Sequence, residues 1–377
     1  MAPTRLIFAL PCLALSLAMA CESGTPTGDS GVGLGGTSAT TGGSGNAAGG
    51  AATGGSQGNG ASGGSASSGG RVSGGAPGVG GTGVGGTGVG GTIDASGGAS
   101  GKNGWALVWR DEFDGTEIDK AKWEHEVNCW GGGNNEDQCY VNESKNAFVE
   151  AGQLHVRVLG DSPSGPEGGG SDNPANVVTR GHSSARLRTK GKADFKYGRM
   201  EASLKLPSTQ GLWPAFWMLP TDEIYGGWAA SGEIDILEAV NLDPEESVYG
   251  TLHYGGIWPD NVHTGASFVP TSKAWENFHL YAVEWQEGEI RWFVDDEQYA
   301  LQNEWNTAEG APFPAPFDQK FHLILNVAIG GSWPGSPDAS TRVPQEMVVD
   351  YVRVFECEAD PITGIGCGTR DPDIDPL

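Results

Sequence analysis

Beyond residue 104 apolar and polar positions alternate with period two, and helical periodicity is nearly absent. Leu154-His155-Val156-Arg157-Val158, Met200-Glu201-Ala202-Ser203-Leu204-Lys205-Leu206, Ile290-Arg291-Trp292-Phe293-Val294 and Val348-Val349-Asp350-Tyr351-Val352-Arg353-Val354 predict strands. Successive side chains leave a strand on opposite faces, and β-branched and aromatic residues suit that half-buried surface. Some 250 residues of short strands with turn punctuation predict an all-β fold, a large antiparallel sandwich. Such a sandwich can bend one sheet into a groove for a polymer.

One strand breaks the rule in an informative way. Glu233-Ile234-Asp235-Ile236-Leu237-Glu238 carries three carboxylates in six residues, separated only by aliphatic side chains. Glu233 and Asp235 share a face while Ile234 and Ile236 point into the core. Glu238 has the wrong parity for that face. One extra residue, a β-bulge around Ile236 and Leu237, restores it. Three acids then line one wall, and two carboxyl groups about 5–5.5 Å apart are what retaining glycoside hydrolysis requires. A solvated acidic edge strand is the plainer reading of such a pattern, and the neighbouring residues oppose it. Gly226-Gly227-Trp228 and Trp213-Pro214-Ala215-Phe216-Trp217 precede the acids, and all 13 tryptophans lie between Trp105 and Trp333. Indole faces fill cores well but also stack on the C–H faces of sugars.

Ahead of the strands the composition changes. Residues 22–103 are overwhelmingly Gly, Ser, Thr and Ala, with too little apolar surface to offset ordering. This segment is expected to be a disordered tether, spanning about 50 Å as a flexible coil. Its Gly78-Val79-Gly80-Gly81-Thr82-Gly83 matches a dinucleotide fingerprint by accident, with no strand before it and no helix after it. Residues 1–21 have the proportions of a secretory signal: Arg5, an apolar run from Leu6 to Ala20, and Ala18-Met19-Ala20 as cleavage site. Cys21 follows at once, so the segment also resembles a bacterial lipoprotein signal, with Leu17 one place earlier than that pattern has it. The expectation is an exported protein, secreted or held at the cell surface, meeting membrane only through an N-terminal lipid anchor.

Charge and cysteines narrow the class further. A net charge of -25 argues against nucleic acid and anionic membranes as partners and is compatible with a neutral polymer. Cys129 and Cys139 are close in sequence, as are Cys357 and Cys367, so two local disulfides are the economical pairing. No C-x-x-C or H-E-x-x-H occurs, and neither zinc nor redox chemistry has support.

Several segments in order resemble glycoside hydrolase family 16, and within it the bacterial laminarinase-like endo-β-1,3-glucanases. They are Val108-Trp109-Arg110-Asp111-Glu112-Phe113, Gly133-Asn134-Asn135-Glu136, Tyr197-Gly198-Arg199-Met200-Glu201-Ala202, Gly211-Leu212-Trp213-Pro214-Ala215-Phe216-Trp217, Ser231-Gly232 with the carboxylate run, Thr251-Leu252-His253-Tyr254, Asn326-Val327-Ala328-Ile329-Gly330-Gly331 and Asp350-Tyr351-Val352-Arg353-Val354. Cys139 stands where many relatives carry an aromatic residue. The resemblance implies a β-jelly roll of two curved antiparallel sheets with a concave substrate cleft, occupying residues 104–357 and followed by a tail, 358–377. It implies Glu233 as nucleophile, Glu238 as acid/base and Asp235 as the residue between them. Trp213, Trp217, Trp228 and Trp333 are then sugar-stacking candidates, each weighed against a place in the core. His253 is expected near the acid/base, and Asn135 and Arg186 near sugar hydroxyls. No cofactor is needed for catalysis. A structural calcium is implied at Glu112, the Gly152 carbonyl and Asp350, hard oxygen donors drawn from separate segments. The function so read is hydrolysis of β-1,3-glucan by a monomer through a covalent glycosyl-enzyme. Mixed-linkage β-1,3-1,4-glucan, an algal galactan, or transglycosylation are alternatives within the class. A non-catalytic glucan-binding module is opposed by the retention of all three carboxylates.

Overall fold

The computed structural model describes residues 104–168, 176–368 and 370–377. The signal and tether expected over 1–21 and 22–103 lie outside them.

Two eight-stranded antiparallel sheets make the fold. The first runs Glu297–Gln302, Glu289–Val294, His279–Gln286, Gly198–Lys205, Gln345–Cys357, Gln153–Val158, Ala147–Glu150, and Trp105–Asp111 also pairs with Gln345–Cys357. The second runs Asn261–Phe268, Val248–Gly255, Glu233–Ala239, Leu212–Pro220, Phe321–Ile329, Arg186–Arg188, Glu124–His125, and Asp194–Phe195 also pairs with Phe321–Ile329. Among the described residues the only α-helix is Leu242–Glu245. All four strands predicted from alternation are present, with no end shifted by more than three residues.

The core lies between the sheets. Gln153–Val158 and Val248–Gly255 alternate buried and partly buried positions, as strands with one solvated face must. Phe321–Ile329 departs from this, since all nine of its residues are buried. It is central in its sheet, and the short strand Gln138–Tyr140 covers its other face: Gln138 accepts from the Ile329 amide at 2.8 Å and Tyr140 Oη accepts from Asn326 at 3.1 Å. Trp285, Trp292, Tyr281, Phe216, Phe317 and Phe321 fill the space between the sheets and are all essentially fully buried. Gly250 is needed for that packing, because a Cβ there would lie 2.3 Å from the Trp292 ring and 2.5 Å from Tyr299 Oη.

Both expected disulfides are present, Cys129–Cys139 and Cys357–Cys367. The second sits beside buried Trp105, and the Glu358 amide bonds the Gly104 carbonyl at 2.9 Å, so the two ends of the described domain meet. Beneath them lies a buried ionic cluster. Arg199 donates to Glu201 at 2.8 Å and Glu284 at 3.1 Å, Arg291 reaches Glu284 at 3.2 Å, and Trp105 Nε1 donates to Glu284 at 3.2 Å. The segment after Cys367 lies back along Glu297–Gln302, with the Asp371 amide on Gln298 and the Leu377 amide on the Leu301 carbonyl.

Candidate active site

The carboxylate strand, Glu233–Ala239, lies in the second sheet between Leu212–Pro220 and Val248–Gly255. Asp235 faces Thr251 and Glu238 faces Tyr249, so three steps on one strand match two on its neighbour. On the other side Trp217 faces Asp235 and Phe216 faces Leu237, which leaves Ile236 as the extra residue. This is the bulge that parity requires. Ile234, Ile236 and Leu237 are all buried in the core, while Glu233, Asp235 and Glu238 share the opposite face. The first sheet braces the irregular point: Trp292 Nε1 donates to the Asp235 carbonyl at 2.8 Å.

Each outer glutamate takes one indole N–H. Trp228 Nε1 donates to Glu233 Oε2 at 2.8 Å, and Trp213 Nε1 donates to Glu238 Oε1 at 2.9 Å. His253 Nε2 lies 3.3 Å from Asp235 Oδ2 and 3.7 Å from Glu233 Oε1. Burial, and next the neighbouring Asp235 carboxylate, raise both Glu233 and Glu238 to about 8. Burial alone raises Asp235 well above the usual carboxylate range. Three desolvated acids in contact cannot all ionise cheaply, so the set keeps protons at neutral pH and can both give and accept them.

The aromatic candidates surround this row. Trp333, partly exposed, packs edge-on to Trp213 at 5.3 Å and to Tyr249 at 5.0 Å, walling the Glu238 end. Trp228 tilts over His253 at 5.6 Å, and His253 over His263 at 5.6 Å, walling the Glu233 end. Trp217 donates to Asn326 at 2.7 Å and carries the Arg186 guanidinium over its ring at 4.6 Å. His253 differs from expectation: it belongs to the Glu233 end, because the register pairs it with Glu233 while the bulge places Tyr249 opposite Glu238. Asn135 is exposed, at a positive φ of 60°, with no bond to the acids. Its neighbour Glu136 is buried instead, accepts from Gln138 at 2.6 Å, and contributes to raising Glu238.

Glu112 and Asp350 belong to the first sheet's side of the molecule. Both Glu112 carboxylate oxygens are taken by Arg353, at 2.8 and 2.7 Å, and Asp350 accepts from Gln153 at 3.4 Å. A cation gathered by Glu112, the Gly152 carbonyl and Asp350 would share the Glu112 carboxylate with the Arg353 guanidinium.

Tyr249, His263, Glu136 and Trp292 were not singled out from the sequence. Tyr249 could have been, because it lies at even spacing from His253 on one alternating strand. Trp292 reaches the site from the other sheet, and no local pattern announces such a contact.

Comparison with known proteins follows the same ground. The family described as glycosyl hydrolases family 16 matches residues 134–353. The glucan endo-1,3-beta-glucosidase A1 of Niallia circulans is 41% identical over 268 residues, covering 67% of this chain and 38% of that protein's length. The beta-glucanase of Rhodothermus marinus is 42% identical over 261 residues, covering 67% of this chain and 85% of that protein. Among solved structures, the catalytic domain of an endo-1,3-beta-glucanase (laminarinase) from Thermotoga petrophila RKU-1 superposes with a TM-score of 0.58 at 36% identity, covering 68% of this chain and 100% of that one.

Proposed function

The chain belongs to glycosyl hydrolases family 16 and is a glycoside hydrolase of the laminarinase-like kind, and from that premise we propose that it cleaves internal β-1,3 bonds of glucan with retention of configuration. The bulge carries this reading, because it alone brings Glu233 and Glu238 to the same face of one strand.

Glu233 attacks the anomeric carbon as the carboxylate, and Glu238 gives its proton to the departing glycosidic oxygen. Water then enters on the side the leaving sugar vacated, loses a proton to Glu238 and releases the sugar from Glu233. The His253 ring lies 3.7 Å from Glu233 and 3.3 Å from Asp235, at the nucleophile's end of the row. Glu136 adds negative charge near Glu238 and favours the protonated acid. Asp235 between them couples the two ends. Trp213 and Trp333 stack one part of the bound glucan, Trp228 and His253 another, and Arg186 orients Trp217 toward it.

Relatives named for β-1,3-glucan activity support that linkage, and a neighbour named as a non-specific endo-beta-1,3(4)-glucanase keeps mixed-linkage glucan as the alternative. Two disulfides support an exported protein. Anchoring through Cys21 belongs to the same proposal.

Side-by-side digestion of laminarin, curdlan, lichenan and agarose, with chromatographic analysis and NMR of the first anomer released, tests it. Laminarin and curdlan should be cut to oligosaccharides released as the β-anomer, lichenan more slowly and agarose not at all. Preferential cleavage of lichenan or agarose would overturn the linkage, and an α-anomer as first product would overturn the mechanism.

A further inference from the structure

We propose that His253, Asp235 and Glu233 together bind one divalent transition-metal ion of the zinc or copper kind, and that this ion and the glucan exclude each other. The second clause rests on the function proposed above; the first stands on geometry alone.

One donor atom from each of the three residues lies within 4.8 Å of the others. His253 Nε2 is 3.3 Å from Asp235 Oδ2 and 3.7 Å from Glu233 Oε1. An ion with tetrahedral bonds of about 2.0–2.2 Å separates neighbouring donors by about 3.4 Å. The histidine nitrogen therefore already stands at coordination spacing from both carboxylates. A second observation points the same way. Asp235 Oδ2 is buried with no hydrogen-bond partner, on a side chain only 2% exposed, and an orphaned buried carboxylate oxygen is costly. His253 Nδ1 is unpartnered too, so with the ring proton there Nε2 turns its lone pair to the two acids. Trp228 occupies Glu233 Oε2 and leaves Oε1, the atom facing His253, as the available donor. One imidazole and two carboxylates suit zinc, copper or nickel better than calcium or magnesium, which prefer oxygen alone. An ion on Glu233 Oε1 would withhold the attacking carboxylate and fill the place of the sugar.

The competing reading is an ion pair between imidazolium and carboxylate with no affinity for metal. Full-length chain freed of metal with EDTA should be titrated calorimetrically with ZnCl2, and its CuCl2 complex examined by electron paramagnetic resonance. One ion per chain is expected, with nitrogen coupling in the copper spectrum. His253→Ala and Asp235→Asn should each weaken binding by at least about tenfold, whereas His263→Ala should not. Laminari-oligosaccharide should weaken zinc binding, and zinc should raise KM for laminarin with kcat unchanged. Absence of binding at millimolar metal, undiminished affinity in either variant, or a copper spectrum without nitrogen would overturn the site. Because binding is read without substrate, a chain inactive on every glucan would refute the proposed function and leave the metal result standing. Normal hydrolysis without metal binding would refute the site alone.

Discussion

On the proposed mechanism Glu238 holds a proton when the glucan bond breaks and accepts one when water enters, and its burial favours the first at neutral pH. Raised to about 8 from an ordinary 4.5, it binds more protons folded than unfolded across that interval. Its contribution to stability is therefore complete below about pH 4.5 and is lost as pH rises through about 8. Glu238→Gln should remove that slope: its melting temperature should exceed the parent's by about 3 °C or more at pH 8 and differ little at pH 4.5, read by calorimetry. Activity of the parent should fall on the alkaline side as Glu238 loses its proton near pH 8, a limb that a pH–rate profile locates. The two glutamates can also be told apart by rescue. Glu233→Ala should be inactive and regain turnover with azide to give an inverted glycosyl azide. Glu238→Ala should accumulate a glycosyl-enzyme from an activated aryl glycoside, and azide should then give the retained product. Swapped stereochemistry would reverse the assignment.

For strands, register decides which residues meet. Parity in Glu233–Glu238 made a bulge necessary before any neighbour was known, and the strand shows it. The even spacing of Trp213 and Trp217 likewise put both on one face, and the structure shows which: Trp213 bonds Glu238. What parity could not supply was the offset between strands: His253 was expected at the Glu238 end, and only the pairing of His253 with Glu233 moves it. Contacts between sheets were less legible still. Trp292 lies in an ordinary-looking alternating strand, yet its indole N–H satisfies the Asp235 carbonyl where the bulge disturbs the ladder. Trp292→Phe keeps most of the volume and loses that bond. It should destabilise by about 1–2 kcal/mol, as a buried acceptor left without its partner does. It should also lower kcat more than it raises KM, since the carboxylates lose alignment rather than the sugar its stacking. Denaturant titration and laminarin kinetics read the two effects separately.

Over the whole molecule, composition separated what folds from what does not contribute to a core. Residues 22–103 offer almost no large apolar side chain, so a chain shortened to begin near Gly101 should fold and cleave soluble laminarin at the full-length rate. A clear loss of rate on the soluble substrate would show that the tract does more than carry the domain. The all-β class and the two local disulfides could be read from alternation and from cysteine spacing. The burial of Phe321–Ile329 on both faces could not, because the covering strand Gln138–Tyr140 is distant in sequence.

The meeting of the domain's two ends has a mechanical consequence. Any tension transmitted through residue 104 enters at Trp105–Asp111 and acts first on the rung joining Trp105 to Cys357. An antiparallel pair pulled from one end opens rung by rung, so the first rung sets the force the pair withstands. Here that rung includes a cysteine of the Cys357–Cys367 crosslink and a tryptophan 1% exposed whose indole is fastened to the Glu284 carboxylate. The strand is thus secured where peeling would start. A load borne there meets the domain on the first sheet, while the carboxylates lie on the second, so strain at the point of attachment need not reach the carboxylate row.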